Sequence, residues 1–170
     1  VPGGDAQKLA ERRGGRLGEA EALALVRDAA RGVAELAKVG VVHRDIKPAN
    51  IFLAADGRAK LADLGLARQA TGDDRMTASG MIVGTPAFMS PEQASAQPLD
   101  VRTDIYALGA TLYALVTGRP PFVGRTALVV VAKVLNEEAP DPRDLAPALS
   151  AGTARVISRC LAKDPRERFQ

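Results

Sequence analysis

Several things that would announce a function are scarce in this chain. It has one cysteine, Cys160, in 170 residues, so a disulfide framework and a cysteine-based zinc site are both excluded. Histidine is just as rare, with His43 alone. The net charge is only +3 and no long block of like charges occurs, so the footprint of a nucleic-acid-binding arm is missing. The longest uncharged apolar stretch, IYALGATLYALVTG at 105–118, falls short of the roughly 20 residues that span a bilayer. It reads as a buried helix. No basic segment followed by an apolar one opens the chain, so no signal peptide is visible, and no internal repeat is found. The chain begins at Val1, without a methionine and within a turn-like Pro-Gly-Gly stretch.

What is present is ordinary globular material. Hydrophobic residues make up 46% and charged residues 25%, enough for one domain with its own core. Asp5 is placed to cap a short helix that Gly14 and Gly15 stop. Leu23, Val26, Ala30, Val33 and Ala37 recur at helical spacing, which predicts a longer helix over 17–39, ended by Gly40. The pattern then changes to short β-type runs, VVH, NIFLA and AKLAD, with Ala55-Asp56-Gly57 as the turn of a hairpin. Residues 67–90 have no period and read as a long functional loop. Helices are expected after Pro91, over 104–117, over 127–135 and over 151–162, with a Pro-rich linker at 137–149. The basic tail RCLAKDPRERF reads as a solvated helix end. The fold class is therefore mostly α with a small β-hairpin.

The chemistry concentrates in VVHRDIKPANIFL, residues 41–53. Asp45, Asn50 and Asp63 offer two carboxylates and an amide oxygen, a donor set suited to Mg²⁺, which prefers oxygen and completes its shell with substrate phosphates. Lys47 adds a mobile point charge for a phosphoryl group. Asp45 and Lys47 share one loop, and the hairpin return is expected to bring Asp63 beside Asn50. The constellation points to phosphoryl transfer.

HRDIKPAN at 43–50 resembles the catalytic loop of eukaryotic-type serine/threonine protein kinases. DLG at 63–65, GTPAFMSPEQ at 84–93 and DVRTDIYALG at 100–109 are similar to three further blocks of that family in the same order, and RPPF and DPRERF fit its later helices. The form is closest to the bacterial members. The resemblance implies that Asp45 accepts the proton of the acceptor hydroxyl, while Lys47 neutralises the γ-phosphoryl oxygens. It gives Asn50 and Asp63 to Mg²⁺, and Thr85 to a bridge between Asp45 and Lys47. Val1 falls at the adenine-binding hinge, Asp5 at the ATP ribose and Phe52 beneath the adenine ring. Arg44 before the catalytic Asp implies control by loop phosphorylation, with Thr77 and Ser79 as the candidate acceptors, which the sequence does not rank. Taken alone, Asp104 reads as a helix N-cap; the resemblance makes it an acceptor for the catalytic-loop backbone. Glu92 and Arg168, alone surface charges, become a buried pair.

The same resemblance makes residues 1–170 the C-terminal, helical lobe of the kinase fold, from the hinge to before the last helix. A glycine-rich loop, a strand lysine and a helix glutamate are absent from these residues, so the N-terminal lobe is expected to be missing and the isolated chain inactive. The implied reaction is transfer of the γ-phosphoryl of ATP, with Mg²⁺, to serine or threonine hydroxyls of protein substrates. The expected setting is the cytoplasm, with any membrane anchor outside this segment and no nucleic-acid partner. The alternative is a non-catalytic, kinase-like lobe that acts as a docking or regulatory module. A small-molecule phosphotransferase is disfavoured by Lys47-Pro48 and SPEQ.

Overall fold

The central helix of the molecule is α4 (Val101–Thr117), in which every residue from Thr103 to Val116 except Ile105 and Ala114 is buried. A helix apolar on all sides is stable only when others surround it. Here α2 (Glu19–Lys38) covers one side and α6 (Ala151–Cys160) another. The computed structural model describes residues 4–62, 86–170 and the backbone at 68–69. Val1, Asp63, Thr77, Ser79 and Thr85 lie outside the described residues.

Helix boundaries follow from local chemistry. α1 (Ala6–Arg12) begins where the Asp5 carboxylate accepts the Lys8 N–H at 2.8 Å, and the chain leaves it through Gly14 and Gly15, both at positive φ. α2 buries Ala22, Leu25, Val26, Ala29 and Val33 along one stripe. Asp100 caps α4, whose first residue, Val101, lies three residues before the expected start, and Gly118 ends it in the left-handed conformation at φ +85. α3 (Pro91–Ala94) carries a reciprocal capping box between Ser90 and Gln93. Thr126 caps α5 (Ala127–Asn136), and Ser150 caps α6. Helix is thus the outcome for 127–135, whose composition suited helix and strand alike.

Two small antiparallel sheets sit against this helical body. β2 (Ile51–Leu53) and β3 (Ala59–Leu61) form the expected hairpin, with Phe52 opposite Lys60 and Gly57 at φ +77 in its turn. β1 (Val41–Val42) pairs with β4 (Arg68–Gln69), a partner that two residues of sequence could not reveal. A bridge from Asp5 to Phe52 and the Leu53 N–H donating to the Gly4 carbonyl at 2.9 Å tie the N-terminal turn to the hairpin.

Two expectations are corrected. The stretch 137–149 is no free linker: Pro142 and Leu149 are buried, and 142–144 forms a 3-10 turn. The basic tail is not a solvated helix end, because Leu161 and Arg168 are both almost wholly buried. Charge counting misled there, since a guanidinium can go inside once all its hydrogens find acceptors.

Candidate active site

The loop from β1 to β2 is held from beneath by one carboxylate. Asp104, in the first turn of α4 and fully buried, accepts the His43 N–H at 2.8 Å on Oδ2 and the Arg44 N–H at 2.9 Å on Oδ1. Burial raises its pKa, and the two N–H bonds pull in the opposite direction without overcoming it. Asp104 is therefore a backbone anchor, while the capping role belongs to Asp100. Buried Ile46 and the His43 ring, also fully buried, fasten the loop to the core. His43 Nδ1 accepts the Asp45 N–H at 3.4 Å.

Above this anchor, Asp45, Lys47 and Asn50 meet. Lys47 Nζ lies 3.0 and 2.8 Å from the two carboxylate oxygens of Asp45. Asn50 Nδ2 donates to the Asp45 carbonyl at 2.8 Å and to Asp45 Oδ2 at 2.9 Å. Both amide hydrogens of Asn50 are thereby engaged, so its Oδ1 is the atom available to a cation. The Asp45 and Lys47 side chains remain 17% and 21% exposed, enough to be reached by a ligand while screened from bulk water. Local sequence produces this cluster: Pro48 starts a 3-10 turn over 48–50, closed by the Asn50 N–H on the Lys47 carbonyl at 2.9 Å, which folds Asn50 back over Asp45.

The hairpin return is described as far as Ala62, and Asp63 lies outside the described residues. The Ala62 N–H donates to the Asn50 carbonyl at 3.0 Å, so the chain comes back beside Asn50 one residue before Asp63. Hard oxygen donors next to a lysine fit Mg²⁺ with a phosphate. Asp5 and Phe52 are cross-strand neighbours, but in this structure the Asp5 carboxylate caps α1 and lies 3.3 Å from Lys8 Nζ. Burial would raise the Asp5 pKa, and its bonds to Lys8 lower it below the usual carboxylate value. Val1, Asp63, Thr85, Thr77 and Ser79 are outside the described residues.

Two positioning contacts went unread in the sequence. Gln93 Nε2 donates to the Arg44 carbonyl at 2.9 Å. Asp28, in the middle of α2, accepts the Ala59 N–H at 3.3 Å and so fastens the hairpin to the helix. Ser-x-x-Gln is a capping-box signature and could have flagged Gln93. Asp28 sends no such signal, because its partner lies 31 residues away.

The described residues contain no helix long and apolar enough to cross a membrane. Comparison with known proteins matches residues 1–170 to the family described as "Protein kinase domain". The chain is 42% identical over 142 residues to the DNA damage-responsive serine/threonine-protein kinase RqkA of Deinococcus radiodurans, covering 84% of this chain and 21% of that protein. It is 35% identical over 150 residues to the serine/threonine-protein kinase PknB of Mycobacterium leprae, covering 88% and 24%. Against PknA of Corynebacterium glutamicum it is 38% identical over 157 residues, covering 92% and 33%. The chain thus spans a fifth to a third of the length of these relatives.

Proposed function

The chain belongs to the protein kinase family, and from that premise we propose that it is the C-terminal lobe of a protein serine/threonine kinase, with Asp45 as its catalytic base. The observation that carries the proposal is the joining of Asp45, Lys47 and Asn50 on a loop whose backbone Asp104 grips from the core. Phosphoryl transfer asks the protein mainly for positioning and for charge placed where charge develops. A carboxylate buttressed by an amide and a buried anchor, with a lysine in contact, meets that demand.

In this reading an incoming serine or threonine hydroxyl displaces Lys47 from Asp45. Asp45 then orients the hydroxyl and takes its proton on a carboxylate oxygen as the new oxygen–phosphorus bond forms and the bond from the γ-phosphorus to the β,γ-bridging oxygen breaks, releasing ADP. Lys47 Nζ turns to the γ-phosphoryl oxygens, a movement its long side chain permits. Asn50, through Oδ1, and Asp63 would hold Mg²⁺, which when bound neutralises charge on the β- and γ-phosphates. Asp5 would meet the ribose of ATP, with Val1 and Phe52 bounding the adenine. Thr85 would bridge Asp45 and Lys47, and Thr77 or Ser79 would accept the activating phosphate. The kinase region would work in the cytoplasm on protein substrates, with any membrane tether elsewhere in a longer protein.

The 170-residue polypeptide on its own should transfer little phosphate, because these residues supply neither a glycine-rich loop nor a strand lysine for the ATP phosphates. The test is incorporation of phosphate from Mg-ATP into a generic serine/threonine substrate. The full-length protein should be active and its Asp45→Ala variant at least about a hundredfold slower. Activity independent of Asp45 would refute the assignment, and Asp45-dependent turnover by the isolated chain would refute its inactivity. A docking or regulatory role for the same lobe is a second reading. It draws support from α5, which exposes Leu128, Val129 and Leu135, and it becomes the better one if the full-length protein transfers no phosphate.

A further inference from the structure

Arg44 has φ +70, in the left-handed region that a residue with a Cβ rarely adopts. The groups on either side of it are clamped. Its N–H donates to Asp104 Oδ1 at 2.9 Å, and its carbonyl accepts Gln93 Nε2 at 2.9 Å. That carbonyl and the Asp45 N–H belong to one planar peptide unit, whose N–H end rests on His43 Nδ1 at 3.4 Å. The plane that leads into Asp45 is therefore gripped at both ends.

Gln93 is itself held in a single orientation. Its Oε1 accepts the Ser90 N–H at 3.0 Å, and Ser90 Oγ accepts the Gln93 N–H at 3.3 Å. Turning the amide over would set oxygen against the Arg44 carbonyl and nitrogen against the Ser90 N–H, losing both bonds. The far end of the side chain thus reaches across to the catalytic loop, 49 residues away, from a fixed base on α3.

We propose that Gln93 is a positioning residue for phosphoryl transfer: its grip on the Arg44 carbonyl keeps Arg44 in the left-handed conformation and so aims the Asp45 carboxylate. The proposal rests on the reading of Asp45 as the base. Without the grip, Arg44 relaxes toward negative φ and the 44–45 peptide rotates, carrying Asp45 with it. Displacements of about 1 Å at a reacting group can cost on the order of a hundredfold in rate.

The deciding variant is Gln93→Glu in the full-length protein. It retains the acceptor for the Ser90 N–H, so the capping box survives, but it presents an oxygen to the Arg44 carbonyl. With Mg-ATP and a serine/threonine peptide, kcat should fall about tenfold or more while KM for ATP stays within about twofold. The urea midpoint should show the protein folded. The same substitution should cost distinctly less kcat in an Arg44→Gly background, because glycine holds positive φ without penalty. Full kcat in Gln93→Glu, or an equal loss in both backgrounds, would overturn the proposal. Should Gln93→Glu fail to fold, Gln93→Met is measured in its place against the same two criteria. Asp45→Ala separates the two levels: if it retains activity, the catalytic reading falls and takes the clamp with it. If only Gln93→Glu is silent, the clamp alone is wrong.

Discussion

Glu92 and Arg168, 76 residues apart in the chain, meet inside the molecule as a two-armed ion pair. Arg168 Nη1 lies 2.7 Å from Glu92 Oε1, and Nη2 lies 2.9 Å from Oε2. The remaining guanidinium hydrogens go to the carbonyls of Ala162, Arg102 and Lys163, so all its donors are satisfied. Thr103 Oγ1 donates to Glu92 at 2.8 Å and completes the cluster. It ties α3, α4 and the C-terminal turn into one unit.

Arg168→Lys tests that cluster. The Arg168 side chain is 0% exposed and Glu92 8%, so a lysine leaves buried acceptors that a single ammonium cannot reach. Breaking a buried pair costs roughly 3–5 kcal/mol, which urea unfolding would record as a lower midpoint at unchanged slope. A loss below about 1 kcal/mol would mean that the pair contributes little beyond its neighbours.

The pair also predicts a pH dependence. Burial pushes the Glu92 carboxyl up, but hydrogen bonds and charge from Arg168, with help from its own backbone N–H and Thr103, hold it below the ordinary 4.5. A carboxyl with a lowered folded pKa contributes stability that is fully present above 4.5 and is lost as pH falls through the folded value. Asp104 has the opposite sign, since burial raises its pKa above 3.8; its contribution is present below 3.8 and fades as pH rises through the folded value. The stability gap between wild type and Glu92→Gln should therefore be constant above 4.5 and narrow below it. A gap that widens in acid would contradict the assignment.

Asp104→Asn separates catalysis from stability. Asparagine keeps one acceptor for two N–H groups, so either His43 or Arg44 loses its anchor. Removing the buried charge offsets part of that loss, and stability should change by less than about 2 kcal/mol. The loop above should loosen, lowering kcat of the full-length protein about tenfold or more. Unchanged kcat at unchanged stability would show that Asp45 does not depend on this anchor.

Gly109→Ala reports on the α4–α6 contact. A Cβ built on Gly109 collides with Cys160 Cβ, and the Cys160 backbone lies just behind at 3.5 Å. Helix propensity alone would favour alanine by about 1 kcal/mol. Overpacking should instead destabilise by about 1–3 kcal/mol. Cys160→Gly should relieve the collision and Cys160→Ala should not, because alanine keeps the clashing atom. A more stable Gly109→Ala protein would sink this account. Burial pushes the Cys160 thiol up to about 11, so alkylation should wait for unfolding.

Short-range order was the legible part. The turn at Gly57 set the register of β2 and β3, and Asp5 capped α1, because each involves groups within a few residues. Asp45, Lys47 and Asn50 come together for the same reason, brought round by Pro48 and its 3-10 turn. The start of α4 was misjudged by three residues, since Asp100 and Asp104 are equally good caps by composition. β4 escaped notice because a two-residue strand has no period to read.

The sequence by itself determined most helix boundaries, where the hairpin turns, and which side chains crowd the loop at 43–50. These outcomes depend on backbone geometry and hydrogen bonds over a few residues. Tertiary structure decided which charged and polar groups do what. Asp28 reaches across 31 residues, Gln93 across 49, Asp104 across 60 and Arg168 across 76. An isolated carboxylate, amide or guanidinium is a surface group by default. It becomes an anchor only when folding removes water and brings a partner to within about 3 Å, where an unmade bond is costly.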